Sequence, residues 1–421
     1  MVSLKKSRHL RNILILFLIS FPSYSYSFLG NDLTGGMSQI YLAETKILVD
    51  GGFVEWAGKD EVSIRAKGLD ISINIDNSQS DKDRKFRVHV NNINSENIDI
   101  IGLEGVEIER KGNRLAFNID VNAGKVAVHK LTPKVADETF SFIVFGESKG
   151  GTNVFRRIIG DINYRKPLFA ISCGDMVEEG SSSGYKEFFE EIGTIKVPFL
   201  TVVGSSEAEG EGRNIYKDLF GAAYYSFDFK NSHFIVLDNG DGRMGEEEFR
   251  WLENDLMQNK AINTFIFMHL PPFDPRPGRN EPLLKGGQQM RLSAILEKYN
   301  ITRVFSSGIH SYFKSDRKGV SYVLTGGGGS ELASTDSYYN YVIVDVEGNK
   351  VKDKVVKLVS PPLGWFESLR LKISISVKNS FQASPVKSSI YAIILSIIAF
   401  AFLKVLYRSI FKSRKKRKIS L

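Results

Sequence analysis

The chain has 421 residues, a length that predicts two or three domains, and its 42% hydrophobic and 25% charged residues exclude a disordered, collagen-like or polytopic membrane protein. Its single cysteine, Cys173, excludes an intramolecular disulfide and a cysteine-based zinc site. The net charge of +8 comes from the two ends, because residues 1–27 and 404–421 carry twelve basic side chains and no acid. The other 376 residues have a net charge of −4, which removes the main support for a nucleic-acid partner.

The N-terminus has the pattern of a secretory signal peptide over residues 1–27. Basic residues precede the apolar run 13–19, and the small-x-small triplet Ser25-Tyr26-Ser27 follows Pro22. An uncleaved signal anchor is the alternative, although the apolar run is short for a membrane span. We therefore expect the protein to be exported.

Two folded regions are predicted between the ends. After a linker over residues 28–43, residues 44–135 alternate apolar and polar side chains in short runs separated by polar turns, which indicates a small β-sandwich with a structural or recognition role. Residues 138–359 instead alternate apolar strands with segments of helical periodicity, as in an α/β domain.

The C-terminus predicts a membrane anchor. Residues 360–387 contain three prolines and read as a stem, residues 388–407 are long and apolar enough for one transmembrane helix, and residues 408–421 form a basic tail. The positive-inside rule places that tail in the cytoplasm and the body on the periplasmic or extracellular side. A buried core helix is the alternative for residues 388–407.

Ligand-type side chains follow five successive strands of the predicted α/β domain. The loops are Gly146-Glu-Ser-Lys149, Gly174-Asp-Met-Val177, Gly204-Ser-Ser-Glu207, Met268-His-Leu-Pro-Pro272 and Ser307-Gly-Ile-His310. Because functional groups in α/β domains lie in loops just past the strand ends, we expect these loops to form one site.

These motifs and their order resemble the calcineurin-like metallophosphoesterases over residues 139–358. The resemblance implies a four-layer αββα sandwich with a two-metal centre built from five loops. In such a centre two metals hold a phosphoryl group and lower the pKa of a bridging water, which becomes the nucleophile.

The matching positions are only partly conserved in chemistry. Where the family has Asp-x-His, this chain has Glu147 and Lys149, and an ammonium cannot ligate a metal. Asp175 matches the bridging carboxylate. Ser205 stands at the asparagine ligand, and Ser206 stands at the histidine that assists as an acid, so no confident catalytic residue remains.

At the remaining ligand positions, some residues match the family and one does not. His269 and His310 match family ligands, whereas Gly308 stands where the first histidine of the last loop belongs. The first metal site would keep Glu147, Asp175 and His310, and the second only Asp175 and His269. We therefore expect one divalent ion (Mn, Fe or Zn) or none.

Each candidate residue has a simpler interpretation. Lys149 could replace the first metal by neutralising Glu147 and Asp175, or it could be a solvated loop lysine. Asp175 could cap a turn, and the two histidines could be ordinary core residues. Arg276 and Arg279, in the loop after His269, could steer an anionic ligand or could lie in a solvated loop.

Two classes of function remain from the sequence. The first is an active phosphoesterase that uses one metal or a rearranged centre. The second is a pseudoenzyme that binds a phosphorylated ligand or a protein partner without turnover, and a purely structural ectodomain is a third possibility. The substitutions favour weakened or lost phosphoester hydrolysis.

Overall fold

The structure is a computed structural model that describes residues 37–135, 137–276, 283–334 and 337–358. The predicted signal peptide, stem, transmembrane helix and basic tail, as well as Arg279, lie outside these residues. Within them, every helix is too short or too polar to cross a bilayer.

The N-terminal region consists of ten strands. They are β1 (Met37–Leu42), β2 (Thr45–Asp50), β3 (Gly52–Ala57), β4 (Glu61–Ala66), β5 (Ile71–Asp76), β6 (Arg84–Asn91), β7 (Ile98–Ile101), β8 (Ile108–Lys111), β9 (Arg114–Val121) and β10 (Val126–Pro133). The first sheet has the order β1-β2-β5-β10-β7, and the second has the order β3-β4-β6-β9-β8.

Side-chain alternation explains how these two sheets are stabilised. Along β5 every second residue is buried, as the period of two predicts, and the inward-facing residues of both sheets contribute to one hydrophobic cluster. β1 begins at Met37, inside the segment predicted as a linker. β1 is an edge strand that pairs only with β2 among the described strands, and its mixed sequence MSQIYL carries little periodicity.

The α/β region contributes two further sheets. Its strands are β11 (Thr139–Phe145), β12 (Phe169–Ser172), β13 (Phe199–Thr201), β14 (Tyr225–Phe229), β15 (Ser232–Val236), β16 (Asn263–Phe267), β17 (Arg303–Ser306), β18 (Tyr312–Arg317), β19 (Val320–Thr325), β20 (Tyr339–Glu347) and β21 (Lys350–Leu358). One sheet has the order β13-β12-β11-β20-β21, and the other has the order β14-β15-β16-β17-β19-β18.

Six helices accompany these sheets. They are α1 (Thr152–Arg165), α2 (Ser182–Ile192), α3 (Ser205–Ala208), α4 (Gly212–Phe220), α5 (Glu246–Gln258) and α6 (Gln288–Lys298). The apolar faces of α1, α2 and α4 pack on the first α/β sheet, and those of α5 and α6 pack on the second. Between the two sheets lies an aromatic core that includes Phe142, Phe169 and Phe265. The region is therefore layered as helix, sheet, sheet and helix, as expected for an α/β fold.

Parallel pairing sets the position of the functional loops. β11, β12 and β13 run parallel in one sheet, and β15, β16 and β17 run parallel in the other. The carboxyl ends of each parallel set therefore share one edge of their sheet, and the loops that follow them can meet there.

Candidate active site

The first two loops are joined by their backbones. The Glu147 amide donates to the Gly174 carbonyl at 3.0 Å, and the Ser148 and Lys149 amides donate to the Asp175 carbonyl at 3.1 and 3.0 Å. Glu147 and Asp175 both adopt positive φ angles, 61° and 54°, which non-glycine residues seldom adopt. These sharp turns immediately after β11 and β12 bring two buried carboxylates into one site.

The carboxylate of Asp175 is surrounded by donors from this chain. It accepts hydrogen bonds from the Lys149 ammonium, from the Ser205 hydroxyl at 2.9 and 3.0 Å to its two oxygens, and from the Ser206 amide at 2.9 Å. Burial alone would raise the pKa of Asp175, but the charges of His269 and Lys149 outweigh it and hold that pKa well below its usual range. Asp175 is therefore an ionised carboxylate whose lone pairs are largely occupied.

Lys149 lies inside the site rather than in solvent. Its side chain is 26% exposed, and its ammonium contacts Asp175 and donates to the Ser206 hydroxyl at 2.9 Å. Burial would lower the pKa of Lys149, but the hydrogen bond to Asp175 and the nearby carboxylates raise it. The interpretation of Lys149 as a solvated loop residue is therefore wrong.

Glu147 is the least satisfied group of the site. It is fully buried, and neither carboxylate oxygen accepts a hydrogen bond from the described residues. Two imidazoles lie beside it: His310 Nε2 lies 2.9 Å from Oε2, and His269 Nε2 lies 3.9 Å from Oε1. A buried carboxylate without donors is costly, so this position favours a cation.

His269 presents one nitrogen to the two carboxylates. Its Nδ1 lies 3.0 Å from the Cys173 carbonyl, which can only accept, so Nδ1 carries a hydrogen and Nε2 is the nitrogen that faces the carboxylates. That Nε2 lies 3.7 Å from Asp175 Oδ1. Glu147, Asp175 and His269 each place a ligand atom within 4.8 Å of the others, so among the described residues they are a group that could hold a metal ion. Three of the four predicted ligands therefore converge, and the fourth, His310, contacts Glu147.

The donor set fits one cation but not two. A Cβ added to Gly308 would lie 2.4 Å from Leu270 Cδ2 and 3.2 Å from His269 Nε2, so a side chain at this position would require Leu270 to move. The Ser205 hydroxyl is directed at Asp175. A lone cation could use Glu147 and His269, with Asp175 shared with the ammonium.

Sequence reasoning did not identify Glu207 as a member of the site. Its buried carboxylate accepts the amides of Asp175, Met176, Val177 and Gly204 at 2.8–3.0 Å. Burial and the charge of Asp175 raise the pKa of Glu207. The residue positions the Asp175 loop, and its place as fourth residue of the third loop was the available signal.

Asn239 was also missed. It is fully buried, and its Oδ1 accepts the His269 and Leu270 amides at 3.0 and 3.1 Å. The side chain thereby fixes the loop that carries His269. Asn239 lies between β15 and α5 with no nearby motif, so the sequence carries no clear signal for it.

The predicted anion-steering residues are not joined to this site by any described contact. Arg276 forms a bidentate ion pair with its neighbour Asp274, with distances of 2.5–3.1 Å. Arg279 lies outside the described residues. A guanidinium that is already paired offers fewer donors to an incoming anion.

Comparison with known proteins shows what this part of the chain is similar to. Residues 128–312, less than half of the chain, match the family model described as calcineurin-like phosphoesterase. Purple acid phosphatase 13 of Arabidopsis thaliana is 27% identical over 201 residues, which are 39% of this chain and 35% of that protein. The probable glycerophosphodiester phosphodiesterase GpdQ of Arcobacter nitrofigilis is 25% identical over 122 residues, which are 25% of this chain and 43% of that protein.

Two solved structures are similar at low sequence identity. The purple acid phosphatase PPD1 from yellow lupin seeds matches 68% of this chain and 70% of its own, with a TM-score of 0.47 and 14% identity. GAP50, the anchor in the inner membrane complex of Plasmodium, matches 52% of this chain and 84% of its own, with a TM-score of 0.43 and 15% identity. The two curated relatives above are matched over 35% and 43% of their length.

Proposed function

We propose that this phosphoesterase domain has lost two-metal hydrolysis and acts as a binding module. The observation that carries the proposal is the Asp175 carboxylate, because the residue that would bridge two metals accepts hydrogen bonds from Lys149, Ser205 and Ser206 instead. An ammonium supplies positive charge at this place but cannot activate a water as a metal does.

The site also lacks a strong acid to protonate the leaving group. Ser206 stands at the position of the acid histidine, and its hydroxyl accepts from the Lys149 ammonium. A neutral hydroxyl is a poor donor of a full proton near pH 7, so departure of the alkoxide would lack assistance. These two features together support weakened or absent turnover of phosphoesters.

A one-metal hydrolase is the second candidate, and the orphaned carboxylate of Glu147 favours it. Glu147, His269 and an oxygen of Asp175 would hold the ion, and His310 Nε2 lies beside Glu147. Such an ion would supply a Lewis acid for a phosphoryl oxygen. Lys149 would then contribute a positive charge next to the bound phosphoester.

Hydrolysis of a chromogenic phosphomonoester and phosphodiester distinguishes the two candidates. The full-length protein is assayed with Mn²⁺, Fe²⁺ or Zn²⁺ beside Asp175→Asn and the matched exposed control Asp120→Asn. We expect no turnover that depends on Asp175. Turnover abolished by Asp175→Asn and retained by Asp120→Asn, with one ion per chain, would select the one-metal enzyme; with two ions it would overturn both candidates.

The setting that we propose for this domain is an exported protein held by one C-terminal transmembrane helix at residues 388–407. The apolar segments near both ends and the basic tail support this arrangement. Its partner would be a phosphoester, another anionic ligand or a protein outside the cytoplasm. Protease treatment of intact cells tests it, because the body should be cleaved while an epitope fused after Leu421 stays protected.

A further inference from the structure

A groove separate from the candidate active site lies between the N-terminal strands and the phosphoesterase domain. One wall is the β3-β4-β6-β9-β8 sheet, and the other comprises the end of α2 and part of α4. Its volume is about 690 Å³, within the range of small-ligand sites. None of the four predicted ligand residues lines it.

The two walls are fixed to one another by buried contacts. Asn92 donates to the carbonyls of Ala66 and Phe199 at 3.0 Å and accepts from the Phe199 amide at 2.8 Å. The Lys67 ammonium donates to the Phe220 carbonyl at 2.8 Å and lies 4.2 Å from the Tyr225 ring centroid. The groove is therefore preformed, and a ligand would not have to bring the walls together.

Arg65 provides the central cation of the groove. Its guanidinium carbon lies 5.4 and 5.6 Å from the ring centroids of Phe189 and Phe220, and its side chain is 11% exposed. Among the described residues it makes one hydrogen bond, to Glu55 at 3.4 Å. Most of the five guanidinium donors therefore remain for a ligand.

Two further basic residues lie at the turn between β8 and β9. Lys111 and Arg114 line the groove and form no ion pair with any residue in the described part of the chain. Arg65 and Arg114 lie on either side of Asn91 in the sheet, because Asn91 on β6 pairs with Arg65 on β4 and with Arg114 on β9. Burial lowers the pKa of Arg65 despite the carboxylate of Glu55, and the charge of Arg114 acts in the same direction. A shared anion would relieve this repulsion.

The acidic residues of the groove are mostly paired. Glu55 accepts from Ser63, Arg65 and Asn91. Glu61 contacts His89 on the neighbouring strand at 2.7 Å, and Glu109 on β8 contacts Arg87 on β6, across β9, at 2.6 Å. Asp218, on the opposite wall, has no ion-pair partner among the residues described. Lys111 and Arg114, which form no ion pair among the described residues, therefore offer positive charge to an anion at their end of the groove, and Asp218 can accept hydroxyl hydrogens.

An aromatic surface lies beside these charges. The rings of Trp56 and His89 have centroids 6.3 Å apart, and the amides of Asn91 and Asn113 also line the groove. A flat ring next to amides and charged groups suits a ligand with an apolar face and many hydroxyls. Acidic sugars combine both properties with a carboxylate that a guanidinium can bind through two hydrogen bonds.

We propose that this groove is a binding site for an acidic sugar, with the carboxylate at Arg65 and Arg114 and the sugar ring against Trp56. The site is independent of the chemistry at Asp175, so the proposal stands or falls separately from the proposed function. It gives the N-terminal strands a recognition role.

Titration of the full-length protein with glucuronate, galacturonate and N-acetylneuraminate, followed by ligand-observed NMR and calorimetry, tests the proposal. We expect at least one acidic sugar to bind more tightly than glucose, and Arg114→Gln to weaken that binding about tenfold. Trp56→Ala should also weaken it, whereas the matched control Arg250→Gln on α5 should not. Arg114 is exposed, so its variant should fold normally.

Several results of these titrations would overturn the proposal. The proposal is overturned if none of the three acidic sugars binds, if glucose binds as tightly, or if Arg114→Gln and Arg250→Gln bind alike. Equal affinity for inorganic phosphate would mean a general anion site and would overturn the assignment to a sugar. Binding of an acidic peptide without binding of acidic sugars would do the same.

Discussion

Replacement of Lys149 by methionine removes the cation of the active site while keeping a side chain of similar length. The variant loses two hydrogen bonds donated by the ammonium, to the Asp175 carboxylate and to the Ser206 hydroxyl, and a hydrogen bond with a charged group is worth about 1.5–3 kcal/mol. Because the Lys149 side chain is 26% exposed, water compensates part of this loss. We expect the free energy of unfolding to fall by about 2–3 kcal/mol.

Urea unfolding of the full-length protein measures this change. The matched control is Lys186→Met on the exposed face of α2, which should change stability by less than about 0.5 kcal/mol. Without its ammonium the site should also gain affinity for a cation, so Mn²⁺ should stabilise Lys149→Met more than the wild type. Mn²⁺ at 100 times its dissociation constant would raise the free energy of unfolding by about 2.7 kcal/mol.

Either of two results would contradict this role of Lys149. If Lys149→Met is as stable as the wild type in the absence of metal, the ammonium does not compensate the buried carboxylates. If Mn²⁺ stabilises both proteins equally, Lys149 does not compete with a cation for Asp175.

Three further predictions concern other residues. Burial would lower the pKa of His233, but two flanking aspartates outweigh it and raise that pKa to about 9. The ion pairs therefore stabilise the fold fully below about pH 6.5, and this stabilisation is lost as the pH rises through 9. Urea unfolding should show a loss of about 1–3 kcal/mol over this range, and His233→Gln should abolish the pH dependence. Gly308→Ala should lower the free energy of unfolding by about 1–3 kcal/mol because the new methyl group crowds Leu270. In a double-mutant cycle, Leu270→Ala should recover part of that loss, and additive effects of the two substitutions would contradict the contact. Glu207→Ala should lower stability by about 3 kcal/mol or more in thermal unfolding, because it leaves buried backbone amides without their acceptor, and a change under 1 kcal/mol would show that these amides find other partners.

Periodicity predicted most of the α/β region. Val320–Thr325 is a largely apolar run that forms a strand, and Gly348 lies at the turn between β20 and β21, so both features have a signal in the sequence. Other strands have a weaker one. β18 alternates partly buried with exposed residues and has no apolar run, so its sequence Tyr312–Arg317 carries a weak strand signal.

The site was predictable in position but not in its contacts. Topology brings the ends of parallel strands to one edge, which is why Glu147, Asp175, His269 and His310 could be placed together. The donation from the Ser206 amide to Asp175 depends on the turn before α3, which single-residue patterns do not specify. Long-range contacts of this kind are set by packing between separate segments, as is the groove against the N-terminal strands.

The number of ions beside Asp175 tests the central claim most directly. Crystals of the full-length protein grown with Mn²⁺ and measured at the manganese absorption edge would count the ions by anomalous scattering. We predict no ion or one, beside Glu147 and His269, with the Lys149 ammonium still in contact with Asp175. Two ions about 3.5–4 Å apart bridged by Asp175, with Lys149 displaced, would contradict it.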